Sequence, residues 1–200
     1  MQKKVEELKR SLILDEASTH FLTQSFDKVQ VAEIAKKAGV SVGTIYNLFG
    51  SKEGLYEAFV DRQITAAYAT ISSECAKMSD PIEQLRFVTS YKFHYFEENR
   101  EVIKANILAN PLLLHASTYN KSPAMKKIME LLGTIIDHIG RIYPLRSYDL
   151  MQLAYHYKAL TNSYIERWVD ADFDLRTKID EATDLFLFGI TDTTAIRTTR

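Results

Sequence analysis

Apolar side chains recur along this chain at intervals of three and four residues, and alternation with period two is rare. That pattern predicts an all-α fold. The first helix is expected from about Lys3 to Gln24, with Val5, Leu8, Leu12, Ala17 and Phe21 near one face. Ser25-Phe26-Asp27 breaks it. A short helix follows over Gln30 to Ala38, with Val31, Ile34 and Ala35 inward, and Gly39 stops it in a left-handed turn. Ser41 caps the next helix, which ends at Phe49 before Gly50. Ser51 caps a long helix to about Met78, with Ile64, Ala67, Ile71, Cys75 and Met78 at core spacing. Asp80-Pro81-Ile82-Glu83 is a helix start in which Asp80 caps and Glu83 bonds back. Further helices are read to about Asn99, over Glu101 to Ala109, from Ser122 to Tyr143, from Ser147 to Val169 and from Phe173 to Gly189. Leu112 to Lys121 gives no clear pattern, and the tail TDTTAIRTTR reads as frayed, a disordered segment over 191–200. About nine helices result, arranged as an N-terminal domain over residues 1–50 and a larger one over 51–190.

Residues 30–49 have the spacing of a helix-turn-helix. Ala35 is small enough for a second helix to approach, Gly39 allows the turn, and Ile45 returns to the shared core. An αα-hairpin that only packs would satisfy the same spacing. The outer positions Val42, Gly43, Thr44, Tyr46 and Asn47 are small or hydrogen-bonding and carry no charge, whereas a solvated face more often carries Lys and Glu. Gly43 weakens a helix by roughly 1 kcal/mol relative to Ala, which makes sense where another backbone comes close. Thr44 and Tyr46 suit phosphate oxygens, and Asn47 with the methyls of Val42 and Thr44 suits base edges. The start of the next helix adds free N–H groups and Lys52, a phosphate-binding combination.

The run GVSVGTIYNLFGSKEGLYEAF over residues 39–59 resembles the signature of the TetR family of transcription regulators. Gly39, Val40, Ser41, Gly43, Thr44, Tyr46, Phe49, Ser51, Lys52 and Leu55 match it, as do Phe26, Ile34, Ala35 and Ala38 upstream. Ser25 stands where that family usually has Gly, and Gln30 stands where Ser or Thr caps the second helix and bonds a phosphate. The resemblance implies a homodimer that binds a palindromic operator, usually as a repressor. It implies DNA contacts by Gln30, Val42, Gly43, Thr44, Tyr46, Asn47 and Lys52, and a C-terminal helical domain for dimerisation and for a small effector.

Charge changes this picture little. The chain holds 25 basic and 26 acidic residues, and residues 1–60 hold eight of each, so positive charge must be placed locally, on Lys3, Lys4, Lys36, Lys37 and Lys52. In the second domain, aromatics and histidines suggest an apolar pocket with a few polar handles. Phe87, Tyr91, His94 and Tyr95 share a helical face, and His115, Tyr119, Tyr155 and Trp168 are the other candidate lining residues. Packing alone would account for any one of them. The expected effector is hydrophobic or aromatic. A regulator answering to a protein partner or to no effector, and a helical interaction protein without DNA, are the alternatives. No metal-ligand pattern, nucleophile elbow or phosphate-cradling glycine loop is found, so neither a metal, a cofactor nor an enzymatic activity is expected. The single Cys75 excludes an internal disulfide, and no apolar run reaches the ~20 residues that span a bilayer. The N-terminal MQKKVEELKRSLIL is unlike a signal peptide. A cytoplasmic protein is expected.

Overall fold

The computed structural model describes residues 2–109, 122–145 and 149–191, with side chains from Lys4 onward. Among these residues the fold is all-α: α1 (Gln2–Phe21), α2 (Val31–Lys37), α3 (Val42–Phe49), α4 (Lys52–Cys75), α5 (Pro81–Glu98), α6 (Arg100–Ala109), α7 (Pro123–Ile142), α8 (Leu150–Asp170) and α9 (Ile179–Ile190). Short 3-10 turns occupy Phe26–Lys28 and Leu175–Lys178. The expectations for Leu112 to Lys121 and for the tail beyond Thr191 lie outside the described residues.

The chain forms two compact units, Met1–Thr65 with Asn99–Ser122, and Ala66–Glu98 with Pro123–Arg200. The first is built on Ile13, Ala17, Phe21, Val29, Ile34, Ala35, Ile45, Leu55 and Phe59. Ala17 and Phe21 are inward as expected, but Val5, Leu8 and Leu12 are exposed. The reason is that α1 carries two apolar stripes. Ile13, Ala17, His20 and Phe21 share one face at helical spacing, and the core uses that one. In the short helices the inward set Val31, Ile34, Ala35 and Ile45 is buried as expected.

The second unit packs α7 against α8, α5 against α7, and α9 against α5 and α8. Its core includes Ile71, Cys75, Leu85, Val88, Leu132, Ile136, Leu153, Tyr157 and Phe186. A closed polar network sits inside it: Thr89 Oγ1 lies 2.7 Å from the Tyr157 hydroxyl and 3.2 Å from Thr183 Oγ1. Burial pushes the Tyr157 hydroxyl well above the usual phenol range, so this network stays neutral. Cys75 is buried, and burial, with the nearby Glu74 charge, raises its thiol pKa. It is therefore a packed thiol rather than a reactive one.

Helix starts follow local chemistry with two corrections. Asp80 Oδ1 accepts from Ile82 N at 2.8 Å, as expected of a cap. Glu83 does not bond back; its carboxylate pairs with Arg86, one turn on, because a guanidinium outcompetes a neutral backbone N–H. The last α-helix begins at Ile179 rather than Phe173. Leu175 N donates to Glu97 Oε1 at 2.5 Å and Arg176 N to Asp174 Oδ1 at 2.9 Å, so carboxylates take the first N–H groups and hold a 3-10 turn there.

Candidate nucleic-acid interface

The turn between α2 and α3 forms because Gly39 takes φ +68°, a left-handed conformation open to glycine. Val40 N then donates to Ala35 O at 3.0 Å and closes the turn over the small Ala35. Ser41 Oγ accepts from Thr44 N at 3.1 Å and caps α3. Fully buried Ile45 anchors the helix. One end of α3 is fixed by a residue that spacing did not indicate. Arg10 of α1 donates to the Leu48 carbonyl at 2.5 Å and stacks 4.3 Å from the centre of the Phe49 ring. A cation on the last carbonyls of a helix is well placed against its dipole.

The face left outward carries Gly43, Tyr46 and Asn47, with Tyr46 45% exposed. Thr44 is partly buried, its hydroxyl 2.9 Å from Ser41 Oγ. Val42 is also partly buried and packs against the core of the unit. Thr44 and Asn47 border a recess of about 360 Å³ shared with Val5, Glu6, Lys9 and Leu48. Gln30 is exposed at the start of α2 and makes no side-chain cap bond, as its chemistry predicts. Lys52, at the start of α4, reaches the Asp27 carbonyl at 3.5 Å and lies 4.5 Å from the centre of the Phe26 ring. Beside it, the Ser51 hydroxyl holds the exposed Glu53 carboxyl below its usual pKa. The α4 start thus sets an acidic side chain beside the lysine.

The two glycines flanking this surface have opposite reasons to be there. A Cβ on Gly43 would meet nothing closer than Ser41 Oγ at 3.7 Å, an ordinary contact. Gly43→Ala is therefore expected to stabilise the chain, by up to about 1 kcal/mol. Thermal melts of the two proteins check the sign. A Cβ on Gly54 would lie 2.1 Å from the Phe49 carbonyl oxygen, so here the fold itself forbids a side chain.

The turn ahead of α2 is tied to α6. Phe26 N donates to Asn106 Oδ1 at 2.7 Å, and Asn106 is buried. The Phe26 ring joins an aromatic group with Phe21 and Tyr56, at centroid distances of 6.2 and 5.3 Å.

The residues expected to line a pocket in the second unit are partly brought together. Phe87 and Tyr91 pack with centroids 6.5 Å apart against the core. His94 is turned back on its own helix, Nδ1 lying 2.8 Å from the Ser90 carbonyl oxygen. Tyr95 packs edge-on to Phe96 at 6.1 Å, and Phe96 to Trp168 at 6.1 Å. Trp168 is sealed in the core, its Nε1 donating to Glu97 Oε1 at 2.8 Å. Tyr155 is exposed on α8. His115 and Tyr119 lie outside the described residues. No group of three or more metal-ligating side chains occurs among the described residues. None of their helices is long and apolar enough to cross a membrane.

Comparison with known proteins agrees with this geometry. Residues 13–59 match the family model described as bacterial regulatory proteins, tetR family. A curated relative is the HTH-type transcriptional regulator AlkX of Mycobacterium tuberculosis, 24% identical over 127 residues, or 60% of this chain. That match spans 58% of the relative, somewhat over half its length. Among solved structures, FadR of Bacillus subtilis in complex with stearoyl-CoA superposes with TM-score 0.67 at 21% identity, covering 88% of this chain and 96% of that one. RolR in complex with resorcinol gives TM-score 0.71 at 18% identity, covering 96% and 92%. Residues 13–59 thus carry the helix-turn-helix domain described for the tetR family of bacterial regulatory proteins, and the likeness of fold to these solved structures extends over most of the chain.

Proposed function

We propose that this protein is a repressor that binds a palindromic operator as a homodimer and leaves it when a small effector occupies the second unit. The observation that carries the reading is the outward face of α3. It is uncharged and hydrogen-bonding, and it keeps a glycine at a position where the fold would accept a larger residue. In this reading Tyr46, Thr44 and Lys52 hold phosphates. Asn47 and the bare backbone at Gly43 come closest to base edges, and Val42 supports them from the core side. Gln30 stands at the α2 start, where its side-chain amide reaches a phosphate without capping.

Homodimerisation is supported by apolar residues that the single chain leaves exposed on its last helices, among them Leu185 at 54% and Phe188 at 71%, with Leu150, Met151 and Tyr155 on α8. Two reading helices would then meet half-sites about 34 Å apart. An effector in the second unit is supported by the complexes of FadR with stearoyl-CoA and of RolR with resorcinol. Its signal passes along the chain from α5 into α6, which follows after the single residue Asn99, and from Asn106 to the turn that precedes α2. The effector lowers operator affinity only by its preference for the conformation that does not bind DNA. Sedimentation equilibrium at micromolar concentration is expected to give the mass of a dimer; a monomer would contradict the paired half-sites.

A further inference from the structure

The recess beside α3 is walled by two helices, with Val5, Glu6 and Lys9 from α1 and Thr44, Asn47 and Leu48 from α3. Gly43 and Asn47 mark the middle of the outward face of α3. At about 100° per residue, Tyr46 lies toward one edge of that face and Thr44 and Leu48 toward the other. The recess therefore borders the edge away from Tyr46. The two helices are fastened together there, because Arg10, the neighbour of Lys9 in the chain, donates to the Leu48 carbonyl and stacks on the Phe49 ring. Lys9 and Glu6 are both exposed, and among the described residues neither has a hydrogen bond or an ion pair.

Charge decides what this recess suits. A helix with its side chains is about 10–12 Å across and the major groove about 12 Å wide, so a phosphate strand flanks an inserted helix on either edge. α3 has no charged residue of its own. On the Thr44 edge its one hydroxyl is already shared with Ser41 Oγ at 2.9 Å. A cation for the strand on that side has to come from α1, and Lys9 is the cation that borders the recess.

We propose that Lys9 binds a phosphate of the operator strand that runs along the α1 edge of α3, so that α1 is a second wall of the DNA-binding surface. Glu6 borders the same recess and sets a carboxylate against that strand, which lowers the affinity. Lys4, five residues before Lys9 and about 140° away around α1, does not border the recess and makes no such contact. This rests on the reading of α3 as the DNA-reading helix.

The test is a fluorescence anisotropy titration of the full chain on a duplex selected by the wild type, at about 0.15 M salt, where charges more than ~8 Å away are largely screened. Lys9→Met is expected to weaken binding about tenfold and to make the log–log salt slope shallower by about one for each half-site. Lys9→Arg, which keeps the cation, is expected to recover most of the loss. Lys4→Met removes the same charge from another face of α1 and is expected to change affinity little. Glu6→Gln is expected to bind more tightly than the wild type. All three positions are exposed, so thermal melts are expected to stay close to wild type. Equal losses in Lys4→Met and Lys9→Met would show an effect of net charge alone and overturn the proposal. So would a Lys9→Met protein with wild-type affinity and salt slope. In both cases the wild type still binds its operator, and the regulator reading stands. A wild-type chain that selects no DNA would overturn that reading and this contact with it.

Discussion

Gly54→Ala is expected to lower the stability of the chain by about 3 kcal/mol or more and to abolish DNA binding with it. The added carbon would sit 2.1 Å from the Phe49 carbonyl oxygen and 3.3 Å from its carbonyl carbon. Both are backbone atoms, and neither has a side-chain torsion through which to move away. The segment between them is also fixed. Gly50 stands at φ +80°, and Ser51 Oγ accepts from Gly54 N at 3.1 Å to start α4. Relieving the clash means parting α3 from α4, which pulls Ile45 and Leu55 from the same core. Urea unfolding followed by circular dichroism measures the loss. A wild-type transition in this variant would mean that the close approach of the two helices is not what holds α3. The pairing with Gly43→Ala is informative, because the same substitution a short distance away is expected to act with the opposite sign on stability.

Asn106→Ala is expected to cost about 1–3 kcal/mol, since it leaves the Phe26 N–H without its acceptor beside a buried position. The larger consequence is functional. The Phe26 turn carries the ring under Lys52 and precedes α2, so its release loosens two supports of the proposed DNA-reading surface. Operator affinity is expected to fall, and the difference between effector-free and effector-bound protein to shrink toward none. Asn106→Asp keeps an oxygen acceptor in the same place and is expected to recover the coupling more than the stability. Equal effector response in wild type and Asn106→Ala, measured by fluorescence anisotropy on one operator, would remove α6 from the signal path.

The parts of this fold that could be read from the sequence are those governed by residues close together in the chain. Gly39, Ser41 and Ile45 announce a helix-turn-helix because the turn, the cap and the core contact are each set within a few residues. Asp80-Pro81 announces a helix start for the same reason. The errors arise where a distant partner decides. Spacing on α1 allows Val5, Leu8 and Leu12 to face inward, and only the presence of Val31, Ile34 and Ile45 opposite Ile13 and Ala17 selects the other stripe. Phe173 reads as helix until Glu97, 78 residues earlier, takes the Leu175 N–H. Arg10 and Asn106 carry no local signal, since their partners Leu48 and Phe26 lie 38 and 80 residues away. The outward positions of α3 were legible at Gly43, Tyr46 and Asn47, while Val42 and Thr44 turn out partly buried. The second unit was legible as a set of aromatic helices, but the pairing of Lys92 with Thr161 and Asn162 depends on how α5 meets α8, which no spacing encodes.

If α3 reads DNA as one of a symmetric pair, selection of bound sequences from a random duplex pool at low salt, with the wild-type chain, Tyr46→Ala and Lys52→Ala, is the measurement to make. A palindrome enriched by the wild type and lost in both variants is expected. No enrichment, or the same palindrome recovered with Tyr46→Ala, would contradict it.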